Sequence, residues 1–398
     1  MRERYYYANS MAFTCTATIK KISLDRRTVS LDRTIFFPGG GGQPADRGRL
    51  DGILVETVRP SEKDPSILHH TLAYPLPYST TVGDPVICTL DSAHRWDYMQ
   101  QHTGQHLLSA VLMHSLGVQT VSVHQGEEDT TIETDATNLS DLDILQIEQT
   151  AQGIIAQKRP VTYRVVDHTA LSTLPLRRPT SRTGSIRLVE IQDYDRVACG
   201  GVHLPDTGWV QLVQVVGVER IRGHMRLSLR IGERALRDHR RNYDTLKAAG
   251  ELFSAHLDEV PKRIQTMQTE VQELHRTLRL QRERIAQMLV QPQEHANTPG
   301  PRVISLEDED PDIFKAVVDV CATQGENICI THSVRGAENV AWGIVSTPEL
   351  PLSSENLRDN LLKPHNAQGG GSATRWQGIV PTEQVESFTT TWKELLSP

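Results

Sequence analysis

Two histidines lie four residues apart in the segment RWDYMQQHTGQHLLSAVL, at positions 102 and 106. On an α-helix this spacing places both imidazoles on one face, one turn apart, so that they can bind the same metal ion. Two further potential ligands, Cys199 and His203, occur in DRVACGGVHLPDTG, where the glycines between them favour a tight turn. Three imidazole nitrogens and one thiolate suit tetrahedral Zn²⁺. Together the motifs predict a zinc site formed by His102, His106, Cys199 and His203.

Each motif alone has a simpler explanation, and the role of the zinc stays open. A histidine pair at helical spacing is often only packed and hydrogen-bonded, and a single C-x-x-x-H is a weak signal. Four protein ligands normally close a structural site, whereas catalytic zinc keeps a position for water or substrate. Other histidines lack a comparable setting, and we interpret them as structural or surface residues: His69, His70, His94, His114 and His124.

The elements that must position these ligands follow from local patterns. Residues 11–90 contain short alternating apolar runs bounded by Gly, Pro and Asp, which predict a small antiparallel, β-barrel-like unit. Residues 91–116 have helical periodicity with Gly117 as a stop, and a second helix is expected from Ser140 to about Lys158. Strands are predicted at PVTYRVV, SIRLVEI, WVQLVQVV and MRLSLRI. The fold class is therefore α+β, with an antiparallel sheet around the metal site.

Beyond Gly232 the apolar residues recur every three or four positions on both sides of an interruption at Asp258 and Pro261. This pattern predicts an antiparallel helical hairpin or an oligomerising coil. The segment QPQEHANTPGPR has the composition of a linker. After it, strands RVISL, NICITHS and AWGIVS and helices at 311–323, 354–363 and 382–396 predict a small α/β domain. The expected domains are 1–90, 91–234, 235–292 and 300–398.

Composition narrows the functional class. The 398 residues are 38% hydrophobic, and no apolar run approaches the roughly 18 residues of a membrane helix. Five scattered cysteines and the absence of a secretory signal pattern in MRERYYYANSMAFTC predict a cytoplasmic protein without membrane attachment. The net charge of −7 argues against a protein that coats nucleic acid. The segment from Glu219 to Arg241, however, contains eight arginines and only three acidic residues. This local positive charge could bind phosphates, or it could be an ordinary solvated surface.

The potential ligands and the residues around them resemble the motifs of a known family. H-x-x-x-H followed about a hundred positions later by C-G-G-x-H is similar to the editing domain of alanyl-tRNA synthetase and its free-standing relatives, the AlaX proteins. LDRTIFFPGGGGQPADRG, LHHTL and SIRLVEIQDYDRVACGGVH extend the resemblance. The helical hairpin and the later GGG cluster resemble the DHH-associated domain of the synthetase and of long AlaX proteins. Since no aminoacylation domain is present, the resemblance implies a protein that edits rather than charges tRNA.

The implied reaction is hydrolysis of the ester that joins a wrong amino acid, serine or else glycine, to tRNA(Ala). Zinc would act as a Lewis acid, lower the pKa of water towards ~7 or orient the substrate. Because alanine is smaller than serine, selectivity must come from recognising the serine hydroxyl, and such sites reject analogues without it by ~10⁴-fold or more. Thr34 is the candidate for this contact, with Gln43 as a second polar contact, although Thr34 also fits an ordinary strand position.

Further site residues follow from the same resemblance. The glycines that precede Gln43 are Gly39, Gly40, Gly41 and Gly42. They would let backbone amides approach the substrate closely, or they would only form a tight turn. Val202 replaces the threonine usual in the family and removes a hydroxyl beside the metal. The residues expected to contact nucleic acid are Arg95, Gly369, Gly370, Gly371 and Arg375. Alternatively, the three glycines form a turn that supports a dimer interface.

The expected partner is tRNA(Ala) mischarged with serine or glycine, without ATP, and a homodimer through the hairpin or the C-terminal domain is a further prediction. Two alternatives stay open. One is editing of another mischarged tRNA, as in the related zinc domain of threonyl-tRNA synthetases. The other is a non-catalytic tRNA-binding module in which zinc only holds the fold.

Overall fold

The structure, a computed structural model, describes most of the chain. The described residues are 3–181, 183–291, 301–324, 327–347, 353–372 and 374–396. They form two compact units, an N-terminal unit that ends at Ala248 and a C-terminal unit that begins at Ala249.

The N-terminal unit begins with a closed six-stranded barrel. Its first elements are β1 (Glu3–Arg4), α1 (Tyr5–Ala8), β2 (Thr14–Ile22), β3 (Thr28–Leu31), β4 (Arg33–Thr34), β5 (Gly48–Leu50), β6 (Ile53–Pro60), β7 (Leu68–Leu72) and β8 (Pro85–Leu90). The barrel order is β2-β3-β7-β6-β5-β8, and β2 pairs with β8 to close it, while β1 and β4 form a separate parallel pair. Closure leaves no free sheet edge. The predicted β-barrel-like unit is confirmed.

The rest of this unit contains a long helix, a shorter one and two further sheets. Its elements are α2 (Ser92–Leu116), β9 (Thr120–Gln125), β10 (Thr130–Thr134), α3 (Asp141–Ala156), β11 (Val161–Asp167), β12 (Ser185–Ile191), β13 (Asp195–Ala198), β14 (Val213–Ile221) and β15 (His224–Ile231). The strands form two antiparallel sheets, β14-β15-β10-β9 and β11-β12-β13. The antiparallel sheet expected here is therefore confirmed.

Helix ends agree with the sequence signals. The Asp91 side chain accepts a hydrogen bond from the amide of His94 at the start of α2, and Gly117 ends this helix with a φ of 67°. Ser140 caps α3 in a reciprocal capping box with Asp143. The strand predicted for WVQLVQVV is wrong in its first half. Residues Thr207–Val210 form a 3₁₀ turn, because the Asp206 carboxylate caps it at the amide of Gly208.

One hydrophobic core runs through the N-terminal unit. Barrel residues such as Ile19 and Leu72 belong to the same buried cluster as Leu107 and Val111 of α2. The predicted boundary at residue 90 therefore does not divide this core. Gly104 allows α2 to approach β15, since a side chain there would overlap Ile231.

Two long helices follow, α4 (Glu233–Phe253) and α5 (Val260–Val290). The predicted interruption between them is confirmed, with a 3₁₀ turn at Leu257–Glu259. Many apolar side chains at the predicted heptad positions are exposed: Leu236, Tyr243, Leu246, Ile264, Met267, Val271, Leu274, Leu278, Ile285 and Met288. Packing of these helices as a hairpin, and a homodimer through them, stay predictions. None of the helices within the described residues has the length and apolarity needed to cross a bilayer.

The C-terminal unit contains a five-stranded mixed sheet. Its elements are β16 (Arg302–Glu307), α6 (Pro311–Gln324), β17 (Ile328–Ser333), β18 (Asn339–Val345), α7 (Ser354–Leu357), β19 (Gln368–Ser372), β20 (Arg375–Pro381) and α8 (Val385–Leu395). The sheet order is β16-β17-β18-β20-β19, with only the β16 and β17 pair parallel. The small α/β domain is thus confirmed, while its DHH-associated identity stays a prediction. Residues 292–300 of the predicted linker lie outside the described residues.

Two of the predicted C-terminal helices differ in detail from the structure. The segment expected at 354–363 is α7 followed by a π-helical turn at Arg358–Leu362 and a 3₁₀ turn at Lys363–His365. The segment expected at 382–396 begins with a 3₁₀ turn at Thr382–Gln384 before α8.

The buried histidine of the barrel should make the fold acid-sensitive. Burial lowers the pKa of His70 to about 4, although a hydrogen bond with the carbonyl oxygen of Val29 opposes the shift. Since the unfolded value is about 6.5, the stabilisation is complete above pH ~6.5 and decreases as pH falls, by roughly 3 kcal/mol at pH 4. We expect His70→Gln to reduce the pH dependence of unfolding free energy between pH 4 and 6.5, measured by urea titration. The exposed His239→Gln is the control, and an unchanged slope in His70→Gln would contradict this explanation.

Candidate metal centre and adjoining cavity

The four predicted ligands converge in the structure. His102 and His106 lie on consecutive turns of α2, and Cys199 and His203 flank the turn that follows β13. Potential ligand atoms of all four lie within 4.8 Å of one another. The Cys199 Sγ atom is 3.4 Å from Nε2 of His102 and 3.4 Å from Nε2 of His203. The helix and the distant turn therefore meet as the spacing predicted.

This donor set fits a zinc ion. Zn–N bonds of roughly 2.0–2.1 Å and Zn–S bonds of about 2.3 Å separate ligand atoms in a tetrahedron by about 3.3–3.6 Å. The two distances from Cys199 Sγ to the histidine nitrogens, 3.4 Å each, fall in this range. Burial lowers the pKa of His102 to about 3 and holds the pKa values of His106 and His203 well below their usual range. The imidazoles are therefore neutral near pH 7, as metal binding requires. Nδ1 of His106 is buried and has no hydrogen-bond partner among the described residues, which leaves it for a cation.

Gln43 fixes the orientation of the predicted ligand His102 through a hydrogen bond. Its Oε1 accepts a hydrogen bond from the backbone amide of Val202 at 2.8 Å, which identifies this atom as the amide oxygen. The same oxygen lies 2.9 Å from Nδ1 of His102, so that Nδ1 must carry the hydrogen and donate it. The lone pair of Nε2 then points towards Cys199. Gln43, predicted as a substrate contact, is therefore a support for the metal site in this structure.

Thr103 supports a second ligand. Its Oγ1 lies 3.3 Å from Nδ1 of His203 and accepts a hydrogen bond from the amide of Leu204 at 3.0 Å. Because Nδ1 is engaged in this way, Nε2 of His203 faces Cys199. Thr103 was not identified from the sequence, although it directly follows the ligand His102.

The turn between Cys199 and His203 is held from the other side. Nη1 of Arg187 donates to the carbonyl oxygens of Cys199 and Gly201, both at 2.9 Å. The hydroxyl of Tyr7 donates to the carbonyl oxygen of Gly200 at 2.7 Å. A side chain at Gly201 would overlap the ring of His102, so the metal site depends on glycine there. The turn is thus fixed by side chains from distant segments.

The glycine-rich segment forms the tight turn that presents Gln43. Gly39, Gly40, Gly41 and Gly42 all have positive φ, at 81°, 134°, 63° and 90°. The amide of Gly40 donates to the carbonyl oxygen of Gln43 at 2.9 Å, and the amide of Gln43 donates back at 3.2 Å. The turn explanation is supported, and an approach of these amides to substrate stays a proposal.

Arg95 anchors this segment to α2 and is not at the surface. Its side chain is 0% exposed. It donates to the Asp46 carboxylate and to the carbonyl oxygens of Ser10 and Ile35. The predicted nucleic-acid contact of Arg95 is therefore not supported, because a buried and fully engaged guanidinium cannot reach a phosphate.

Thr34 ends the short strand β4, which pairs with β1 outside the barrel sheet, and its side chain contacts the barrel residue His70. Its hydroxyl is 2.8 Å from Nε2 of His70 and accepts a hydrogen bond from the amide of Phe36 at 3.1 Å. The side chain is buried. Its hydroxyl is thus engaged within the barrel, and recognition of serine by Thr34 remains a proposal.

A cavity of about 360 Å³ adjoins the metal centre. Val202 and His203 belong to its lining, and α1 and β11 contribute the aromatic side chains of Tyr6, Tyr7 and Tyr163. The volume lies within the range of small-molecule sites, about 300–1,000 Å³. The position of Val202, predicted to matter for substrate, therefore faces a space in which a substrate group fits.

The other predicted nucleic-acid residues lie in two neighbouring strands of the C-terminal unit. Gly369, Gly370 and Gly371 form the exposed edge strand β19, so the turn expected as their alternative role is wrong. Arg375, on β20, forms an ion pair with Asp319. In the arginine-rich segment 219–241, five arginines pair with carboxylates: Arg226, Arg230, Arg234, Arg240 and Arg241. Much of that positive charge is thus neutralised, which favours the solvated-surface explanation.

Sequence reasoning missed the residues that brace the site and line the cavity. Arg187 is the cation in the strand SIRLVEI, where it alternates with buried apolar residues. Tyr6 and Tyr7 belong to the YYY run near the start of the chain. A charge inside an apolar strand and a cluster of tyrosines were the available signals, but neither identifies a partner.

The role of Gln43 leads to a prediction about metal affinity. Gln43→Leu removes the oxygen that orients His102, and loss of such supporting contacts typically weakens metal binding by about 10–100-fold. We expect this weakening in a competition titration with a zinc chelator. Gln105→Leu is the matched control, because Gln105 is equally buried on α2 but donates to Ser109. Equal zinc affinity of Gln43→Leu and the wild type would contradict the assigned role.

The chain is similar to known proteins over most of its length. Residues 186–227 match a family model described as the threonyl and alanyl tRNA synthetase second additional domain. An alanyl-tRNA editing protein of Danio rerio, Aarsd1, is 27% identical over 380 residues, which are 93% of this chain and 89% of that protein. The alanine–tRNA ligase of Methanocella arvoryzae is 28% identical over 280 residues, 68% of this chain but 31% of the ligase.

A solved structure also matches, the C-Ala domain of Aquifex aeolicus alanyl-tRNA synthetase. It is 17% identical, covers 25% of this chain and 91% of that domain, and has a TM-score of 0.22, too low to support a conclusion. The alanyl-tRNA editing protein AlaX-L of Pyrococcus horikoshii is 31% identical over 295 residues, 70% of this chain and 72% of that protein. The chain therefore belongs to the family of alanyl-tRNA editing proteins.

Proposed function

We propose that this chain is a trans-acting, zinc-dependent aminoacyl-tRNA deacylase that hydrolyses the ester of Ser-tRNA(Ala), with Gly-tRNA(Ala) as a second substrate. The observation that carries this proposal is the convergence of His102, His106, Cys199 and His203 beside a cavity of substrate size. The names of the relatives support the editing of alanyl-tRNA, since the similar proteins of Danio rerio and Pyrococcus horikoshii are alanyl-tRNA editing proteins.

The chain's own residues give the site its rigidity. When bound, the zinc ion would supply Lewis-acid polarisation of the ester carbonyl. Gln43 and Thr103 fix the imidazoles of His102 and His203, and Arg187 fixes the turn that carries Cys199. Because these groups are buried or half-buried, they are positioned before substrate arrives and lose little energy to reorganisation.

The side from which substrate would approach is inferred from the lining of the cavity. His102, His106 and His203 are buried, whereas Cys199 is only half-buried. His203 and Val202 line the cavity. We therefore place the reacting ester at the cavity end next to His203. A fifth ligand position, or displacement of one protein ligand, would be needed there for direct contact with the ion.

Two alternative functions remain. The matching family model describes a domain of both threonyl and alanyl tRNA synthetases. The first alternative is therefore editing of a mischarged threonyl-type tRNA. A complete set of four protein ligands favours a structural zinc in a non-catalytic tRNA-binding module. Deacylation assays with several mischarged tRNAs in parallel separate the first alternative, and tRNA binding without turnover would establish the second.

Removal of single ligands tests the central proposal. We expect His102→Ala and Cys199→Ala to lose zinc and to lose Ser-tRNA(Ala) deacylation, because three remaining donors leave the ion weakly held. Zinc content by mass spectrometry and release of labelled serine are measured on the same preparations. His114→Ala is the control, since His114 is exposed on the same helix, eight residues beyond His106, and interacts with the carbonyl oxygen and the ring of Tyr194. Full deacylation by a variant shown to lack metal would refute the proposal.

Selectivity for serine gives a separate prediction. If the Thr34 hydroxyl contributes to recognition, Thr34→Val should decrease the ratio of Ser-tRNA(Ala) to Ala-tRNA(Ala) deacylation rates by about tenfold, the effect of a lost hydrogen bond of ordinary strength. Thr34→Ser keeps a hydroxyl and should keep the ratio. A Thr34→Val protein that loses rate on both substrates equally would show that the hydroxyl matters only to the barrel, through His70.

A further inference from the structure

Two cysteines lie directly opposite each other where the barrel closes. Cys15 on β2 and Cys88 on β8 are register partners in the antiparallel ladder that joins these two strands. Directly opposite residues of such a ladder point to the same face of the sheet. Cys88 is buried, whereas Cys15 is half-buried and therefore partly accessible to small solutes. The pair is separate from the four predicted metal ligands.

The backbone spacing of this pair suits a disulfide. The amide of Leu90 donates to the carbonyl oxygen of Phe13 at 2.8 Å, two positions further along the same ladder. Because hydrogen-bonded and non-hydrogen-bonded pairs alternate, Cys15 and Cys88 form a hydrogen-bonded pair, whose Cα atoms lie about 5.5 Å apart. Disulfides typically join Cα atoms roughly 4.4–6.8 Å apart. The sulfurs can therefore bond without a change of register between the strands.

The two thiols contact each other in the reduced chain. The thiol of Cys88 donates a hydrogen bond to the sulfur of Cys15, which lowers the pKa of Cys15, while burial opposes this shift. The guanidinium of Arg33 also lowers the pKa of Cys15. The same hydrogen bond, together with burial, raises the pKa of Cys88. Since the thiolate is the reactive form of cysteine, Cys15 is the nucleophile of the pair.

We propose that Cys15 and Cys88 are a redox-modification site, at which a hydroperoxide converts the two thiols to a reversible cross-strand disulfide. This inference is independent of the proposed function. The product links the first and the last strand of the barrel covalently. Opposite Cβ atoms, roughly 4.5–5.5 Å apart in a ladder, must approach to about 3.5–4.5 Å for the bond, so the ladder contracts locally. Disulfides under such strain are the readily reduced ones, which makes this link reversible.

The reaction consumes one hydroperoxide for each cysteine pair. The Cys15 thiolate attacks one peroxide oxygen, the O–O bond breaks, and the other oxygen takes a proton and leaves as water or an alcohol. Cys15 is then a sulfenic acid. The sulfur of Cys88 attacks that of Cys15, the S–O bond breaks, and the hydroxide leaves as water with the proton of Cys88. The two thiols lose two electrons in total, and the peroxide gains them.

The other cysteines are less suited to this reaction. Cys321 and Cys329 are buried, and burial raises the pKa of Cys329 to about 12. Cys199 is half-buried, but it belongs to the predicted metal ligands, and a bound zinc ion would occupy its sulfur. Oxidation of the zinc-loaded chain should therefore begin at Cys15.

Peptide mapping of the zinc-loaded full chain tests the proposal. The folded protein is treated with graded hydrogen peroxide, free thiols are alkylated, and trypsin digestion is carried out without reductant. Cleavage after Lys and Arg places Cys15 in the peptide of residues 5–20 and Cys88 in that of residues 64–95. We expect mass spectrometry to find these two peptides joined, and to find them separate after treatment with dithiothreitol.

Single substitutions assign the two roles. Cys15→Ala should abolish the joined peptides, and Cys88→Ala should stop the reaction at the Cys15 sulfenic acid, which dimedone traps. Cys329→Ala is the matched control. Cys329 is as buried in its strand as Cys88, but its register partners are Val303 and Ile344 rather than a cysteine. This variant should form the Cys15–Cys88 link as the wild type does.

Unfolding gives a second measurement. The urea midpoint of the oxidised wild type should lie above that of the reduced wild type, because the link restricts the unfolded chain. In Cys15→Ala, peroxide should leave the midpoint unchanged. The proposal is overturned if the wild type lacks the joined peptides after peroxide treatment, whether Cys15 stays reduced, stops at the sulfenic acid or links to another cysteine. The wild-type map decides this even where Cys88→Ala does not fold.

Discussion

The metal centre depends on one amide oxygen that joins three segments of the chain. Oε1 of Gln43 accepts hydrogen bonds from Nδ1 of His102 and from the amide of Val202, contacts that span 59 and 159 positions of sequence. Helix and turn each carry two ligands, but neither fixes the orientation of the other's side chains. Because the oxygen is buried and accepts both bonds, a shift of either segment would leave a polar group unpaired. The glycine turn is therefore a structural part of the metal site.

The position of Gln43 depends in turn on a buried ion pair. Asp46, three residues later, lies in the same loop and binds Arg95 of α2 with both carboxylate oxygens. Removing one partner of such a pair typically costs roughly 3–5 kcal/mol, because the other charge stays buried. The amide of Phe37 also donates to Asp46, which closes the loop at its other end. Arg95 thus acts on the site through the fold rather than through contact with tRNA.

The features that could be predicted from the sequence are those that short-range patterns of residues determine. The helical spacing of His102 and His106 and the stop at Gly117 are local signals, and from them α2 and half of the ligand set could be predicted. The alternation of strands gave the barrel. The bracing contacts could not be predicted, because they join distant residues: Tyr7 reaches Gly200 across 193 positions. Alternation places Arg187 on one face of β12, but only the tertiary structure shows which carbonyl oxygens and rings it meets.

Metal binding and recognition share one support in this fold. Arg95 holds the loop of Gln43, and Nη1 of the same guanidinium donates to the carbonyl oxygen of Ser10, which lines the cavity. The hydroxyl of Tyr7, in the same N-terminal segment, holds the turn that carries Cys199. The wall that would meet the substrate and the ligands that would hold the ion are therefore fixed to each other. A substitution that displaces the N-terminal segment should consequently disturb both, even though no residue of that segment is a metal ligand.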